Sequence, residues 1–210
     1  MDKQLLLYFC LILTITLNAQ EIPNQDQLLQ FDFGRSFNGT GDMYGFQYGV
    51  TYLQYFNKKN LYWSVAFEGT NHSDEDINYF FEDSAGNNVA GKSRYVVGGM
   101  QLASGLGYSI VNSPRHLLNL TIAPLLRYQT SSIPYEELTL FPAITELPVP
   151  VQIIRFTEPF RTLSFGGVLK LSYLYTFKSK YFVGLTGGFQ TDTNEDSISY
   201  LTLALGKRFW

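Results

Sequence analysis

From residue 28 onward, apolar and polar side chains alternate along much of the chain, in runs of about ten residues or more. That is the period of a β-strand with two unlike faces. The first run, 28–37, sets Leu29, Phe31 and Phe33 against Gln30, Asp32 and Gly34. The second, 43–56, sets Tyr44, Phe46, Tyr48, Val50 and Tyr52 against Gly45, Gln47, Gly49 and Thr51. In the third, 60–70, Leu61, Trp63, Val65 and Phe67 oppose Tyr62, Ser64, Ala66 and Glu68. The fourth, 94–108, and the fifth, 117–129, carry Met100, Leu102 and Leu106, then Leu118, Leu120 and Ile122, with Pro124 as a local irregularity. The clearest is 161–177, where Leu163, Phe165, Leu169, Leu171 and Tyr173 face away from Ser164, Gly166, Lys170 and Ser172. Runs at 181–190 and 200–210 complete a set of eight predicted strands.

The connections between these runs also alternate. Residues 57–60, 112–116 and 178–180 are short and basic; between them lie 71–93, 130–160 and 191–197, of which the first two are long, and the first connection, 38–42, breaks the long-loop pattern. An even number of antiparallel strands with short turns at one end and longer loops at the other predicts an up-and-down barrel. The run length matches a tilted membrane-crossing strand. Closure is then obligatory, because every backbone N–H and C=O inside lipid must find a partner.

A secreted soluble barrel shows the same alternation with its faces exchanged, so composition has to decide. Charged residues are only 16%, against about 25% in an ordinary soluble domain. The less apolar face consists of Gly, Ser, Thr, Ala and Gln with isolated charges. That suits the crowded interior of a narrow barrel better than a hydrated exterior. Aromatics near strand ends (Tyr44, Tyr108, Tyr128, Tyr175, Phe177, Tyr181) suit an interfacial girdle. A net charge of −3 gives no sign of nucleic-acid binding.

Both chain ends support export. Residues 1–19 read as a signal peptide: an apolar run at 5–17 is too short to span a bilayer as a helix, and Ala19 supplies a small residue for cleavage. The remainder, 20–210, is one domain in size. The lone cysteine, Cys10, falls in the apolar run, so the mature chain has no disulfide and no thiolate chemistry. At the other end Leu201, Leu203 and Leu205 alternate with small and polar residues before the chain stops on Phe209-Trp210.

These features resemble the small eight-stranded bacterial outer-membrane β-barrels of the OmpX and OmpA-transmembrane type, and the outer-membrane barrels common in Bacteroidota. The resemblance rests on the strand pattern, the Asn18-Ala19-Gln20 junction and the Gly206-Lys207-Arg208-Phe209 ending. It implies an all-β, eight-stranded antiparallel transmembrane barrel, integral to the outer membrane, with both barrel termini periplasmic. Outer-membrane lipid surrounds it, and barrel-assembly machinery inserts it. It also implies an assembly signal in the last strand, at Leu203, Leu205, Phe209 and Trp210. Phe209, which shares parity with the leucines, corresponds to the terminal aromatic of such barrels, and Trp210 is an extra residue.

Three clusters are candidates for chemistry. Asp32, Glu68, Arg127, Lys170 and Arg208 share the polar face, and charges enclosed there need partners. They are expected to form a structural polar network, with a proton or ion path as the alternative. Asn71-His72-Ser73-Asp74-Glu75 offers an imidazole, a hydroxyl and carboxylates, the ingredients of a hydrolytic triad. Adjacent strand residues point to opposite faces, so a solvated acidic loop is the simpler expectation there. Asp74, Glu75, Asp76, Glu82 and Asp83 lack the spacing of a calcium loop. No catalytic, cofactor or metal site is therefore expected.

The segment 130–160 is apolar for a loop, with Leu138, Leu140, Phe141, Ile144, Leu147, Ile153 and Phe156 and five prolines. Apolar surface of that extent marks an interface. It either docks a partner, through an edge strand extending the fifth and sixth runs into a hairpin, or folds over its own barrel mouth. The expected function is a non-enzymatic outer-membrane barrel, a structural or accessory subunit that docks to a larger outer-membrane assembly. A lipid-modifying hydrolase and a narrow pore are the alternatives.

Overall fold

The computed structural model describes residues 26–39, 43–56, 60–74, 77–82, 88–93, 95–132, 136–140, 151–155, 160–194 and 196–209. The segment read as a signal peptide lies outside them. Eight strands form one closed antiparallel barrel: β1 (Gln27–Asn38), β2 (Met43–Tyr55), β3 (Leu61–Ser73), β6 (Val96–Asn112), β7 (His116–Ser131), β10 (Phe160–Thr176), β11 (Tyr181–Asp192) and β12 (Ser197–Phe209). Each pairs with its neighbours in sequence among these eight, and β12 closes on β1 from Gln27↔Phe209 to Asn38↔Ile198. Two hairpins stand as sheets of their own, β4 (Ile77–Glu82) with β5 (Asn88–Ser93) and β8 (Glu136–Leu140) with β9 (Val151–Arg155). They lie in the connections at one end, here the hairpin end. The opposite, turn end carries short connections alone and both ends of the strand series, while β1–β2 and β11–β12 are joined by short connections at the hairpin end.

The eight predicted runs are these strands, but the long connections differ from expectation. Both contain a hairpin. β3 continues to Ser73, so Asn71 and His72 belong to the barrel wall and not to a solvated loop. The alternation explains this: Thr70 and His72 keep the inward parity of Glu68, while Asn71 points out. Within the apolar segment, residues 136–140 and 151–155 do form a hairpin, yet as a separate sheet and not as an extension of β7 and β10. Phe141, Ile144, Leu147 and Phe156 lie outside the described residues.

The faces follow the sequence parity. Large apolar side chains point outward and are exposed, Ile122 at 68% and Phe165 at 64% among them. Gln30, Gln47, Ser64, Thr70, Ala103 and the charged Asp32, Glu68, Arg127, Lys170 and Arg208 point inward and are buried. Pro124 leaves its mark on one side only. Pairing between β6 and β7 runs to Ala103↔Leu125 and resumes at Leu106↔Ile122, whereas Gly167↔Pro124 is intact towards β10. Proline has no N–H to contribute to a ladder. Further down the same seam the register shifts between Ser109 and Val111, a β-bulge.

Lumen space is matched strand by strand. A Cβ at Gly107 would collide with the Tyr62 ring, and one at Gly188 with the Tyr200 ring. These glycines let two large inward aromatics fit inside a narrow barrel.

Candidate functional site

The lumen is layered. At the turn end, Leu28, Leu53, Tyr55, Tyr62, Leu117, Leu174, Phe182 and Ala204 form one buried apolar cluster. They come from seven of the eight barrel strands and make a dry plug across the base. Its two tyrosines turn their hydroxyls to polar partners. The Tyr55 hydroxyl lies 2.7 Å from Ser109 Oγ, and that of Tyr62 2.7 Å from Thr121 Oγ1. Burying a phenol is tolerable on these terms.

Above the plug sits a charged layer. Lys170 Nζ donates to Glu68 Oε1 at 2.5 Å. The two residues belong to β10 and β3, which β7 and β6 separate, so the pair bridges the lumen. Gln101 Nε2 donates to the second carboxylate oxygen of Glu68 (2.9 Å) and to Gln190 Oε1 (2.7 Å), and Gln190 Nε2 returns a bond to Gln101 Oε1 (2.8 Å). A buried ion pair repays its desolvation only when its remaining valences are satisfied, and this amide pair satisfies those of Glu68. Among the described residues, the hydrogen-bond donors to Asp32 are neutral. It accepts from Gln30 Nε2 at both oxygens (2.9 Å each) and from Thr202 Oγ1 (3.3 Å). A cavity of about 20 Å³ next to Asp32, Lys170 and Ser172 holds one water molecule at most comfortably.

The five charges expected in the lumen are all buried there, but they are not one network. Only Glu68 and Lys170 pair with each other. Arg127 turns to Asp192 (3.5 Å) and Asp196 (3.9 Å) near the hairpin end, and Arg208 to Asp26 (2.6 Å) at the turn end. Asp192 was legible, since it has the inward parity of Gln190. Asp196 and Asp26 lie just outside strands, where alternation gives no direction.

His72 is fully buried, and its Nε2 lies 2.8 Å from Ser36 Oγ. Ser73, its neighbour in sequence, faces the other way. The imidazole–hydroxyl pair thus comes from β3 and β1, not from adjacent residues. Among the described residues its Nδ1 has no hydrogen-bond partner, so none of their carboxylates orients the ring as a hydrolytic triad requires. Among the described residues, no group of three or more His, Cys, Asp or Glu is placed to hold a metal ion.

No protein-family model and no curated sequence matches the chain. Among solved structures, Neisserial surface protein A superposes with a TM-score of 0.51 at 9% identity, over 88% of this chain and 96% of that one. The chain has the fold of the small eight-stranded outer-membrane β-barrels. The attachment invasion locus protein Ail of Yersinia pestis (TM-score 0.49, 10% identity, 89% of this chain and 100% of that one) is also similar. So is the N-terminal barrel domain of Pseudomonas aeruginosa OprF (TM-score 0.47, 13% identity, 89% and 98%).

In a barrel of this kind the last strand forms the closing seam. Leu203, Leu205 and Phe209 of β12 all point outward, and Phe209 is paired with Gln27 at the start of β1. Lys207 lies over the rings of Tyr181 (5.4 Å) and Phe209 (5.3 Å), which holds its stem against the wall. Trp210 lies outside the described residues. Of the docking candidates, Leu138 and Leu140 are in register with Ile153 and Val151 in the β8–β9 hairpin.

Proposed function

We propose that this chain is a non-enzymatic integral barrel of the bacterial outer membrane that does not conduct, and that it works at its hairpin end as a structural or accessory subunit. The observation that carries this is the combination of an exposed apolar outer face with a lumen sealed by the apolar plug. Apolar side chains such as Ile122 and Phe165 belong in hydrocarbon, and the apolar layer of Leu28, Leu53, Leu117, Leu174 and Phe182 behind them gives an ion nothing to replace its hydration. In this reading the turn end is periplasmic, because short turns face that side and longer loops face out. Both barrel termini then lie there, and the ordinary assembly machinery inserts the chain.

The last strand is its assembly signal in this reading. Phe209→Ala is expected to reduce the folded, heat-modifiable barrel recovered in outer-membrane fractions by more than deletion of Trp210 does. Equal defects would contradict the assignment to Phe209.

The working surface is the 130–160 segment. Its β8–β9 hairpin is a two-stranded sheet whose other edges meet no further described strand, and such edges accept a partner strand. Cross-linking in native membranes is expected to capture a larger complex, and deletion of 136–155 to release the barrel from it with folding intact. Free monomer in both cases would remove the docking role. The Ser36–His72 contact is the one observation favouring a hydrolase. The pair is enclosed on all sides and lacks an orienting carboxylate, so we assign it to filling the lumen.

A further inference from the structure

The outer face is apolar with few exceptions, and one of them is Arg35 on β1. Its side chain points outward and is exposed. A guanidinium on the lipid face is costly towards the middle of a bilayer and tolerated near its interface. Arg35 stands near the hairpin end, three residues before β1 finishes at Asn38. Its guanidinium lies 5.0 Å over the Phe46 ring, and Phe33 stacks beneath that ring at 5.8 Å between centroids. No carboxylate among the described residues pairs with it.

Arg35 also borders an open groove of about 330 Å³ on the outer wall, with Tyr44, Asn71, Ser73 and Val96 among its other walls. The register explains why these meet. Arg35 pairs across to Phe46 and Phe46 to Asn71, while Tyr44 pairs with Ser73 in the next outward row. The groove therefore combines a guanidinium, an amide and two hydroxyls with an aromatic wall below them. Among the described residues, none that lines it is acidic. Donors without carboxylates select an anion, and a guanidinium matches phosphate oxygens in bidentate fashion. The apolar wall beneath, running down through Phe46 and Phe33, suits a ligand whose polar head continues into hydrocarbon.

We propose that this groove binds the phosphorylated headgroup of a lipid in the leaflet around the hairpin end. Arg35 and Asn71 grip the phosphate, Tyr44 and Ser73 contact the adjoining polar head, and the acyl region lies along Phe46 and Phe33. The site rests on the membrane reading of the barrel. Its shared chemistry with free phosphate is the guanidinium contact; the aromatic wall is what only a lipid uses.

The test is native mass spectrometry of the mature chain, folded in neutral detergent, with a phosphorylated glucosamine-based lipid, its dephosphorylated counterpart, and inorganic phosphate. The wild type is expected to retain the phosphorylated lipid about tenfold better than the dephosphorylated one, the scale of one charge-assisted contact. R35Q should abolish that preference. Arg161→Gln, which removes an exposed outward arginine outside the groove, should keep it. Millimolar inorganic phosphate should not displace the lipid. Should R35Q fail to fold, the Asn71→Leu, Ser73→Ala double variant carries the same expectation. Unchanged preference in a folded groove variant, or equal retention of the two lipids, overturns the site. Displacement by phosphate alone overturns the lipid as its ligand. A wild-type chain that shows no heat-modifiable gel mobility overturns the membrane reading, and the site with it.

Discussion

Lys170→Met is expected to destabilise the folded barrel by about 3–5 kcal/mol, the cost of leaving one member of a buried ion pair without its partner. Glu68 is the member left behind. Its carboxylate is almost wholly enclosed, and it would keep only the Gln101 amide as a donor. The Glu68→Leu, Lys170→Met double variant should recover most of the loss, because well-packed apolar residues replace buried pairs at little or no cost. Urea unfolding in detergent micelles, followed by tryptophan fluorescence, measures both. If the single variant loses less than the double, the ion pair does not hold the lumen together.

The plug gives the second large effect. Leu174→Ala removes a fully buried side chain and should cost about 2–5 kcal/mol, the range for such truncations in a packed core. The same variant tests conduction. Wild-type protein in planar bilayers should show no ion-conducting steps, since a layer formed by Leu28, Leu53, Leu117, Leu174 and Phe182 offers an ion nothing to replace its hydration. One Leu→Ala change should not open that layer. Steady channel activity from the wild type would restore the pore reading and remove the sealed one.

Much of the barrel was legible in the sequence because a strand has a period of two. Parity alone assigned Phe31, Phe67, Ile122 and Leu203 to the outer face and Asp32, Glu68 and Lys170 to the lumen. It could not say which lumen residues meet. Glu68 and Lys170 lie on strands that are not neighbours, and their contact depends on the curvature of the closed sheet. The Arg127–Asp192 pair was missed for the same reason, and Arg208–Asp26 because Asp26 lies just outside β1, where alternation gives no direction. The plug was hidden differently. Leu28, Leu117 and Leu174 have inward parity, but an apolar residue on a face expected to be polar reads as noise until seven strands bring such residues to one level. Arg35 breaks the outer pattern visibly, although the groove beside it exists only once β1, β2 and β3 lie side by side.

The plug also bears on how the barrel completes itself. Its members come from both ends of the chain: β1 contributes Leu28, and the last two strands contribute Phe182 and Ala204. Until β12 has swung into place against β1, the base is an open rim with wet leucines. The final seam therefore brings more than its ladder of hydrogen bonds, because it dries the floor of the whole barrel at one stroke. Closure becomes nearly all-or-none, and a chain caught before it is marked by exposed apolar surface on its inner side.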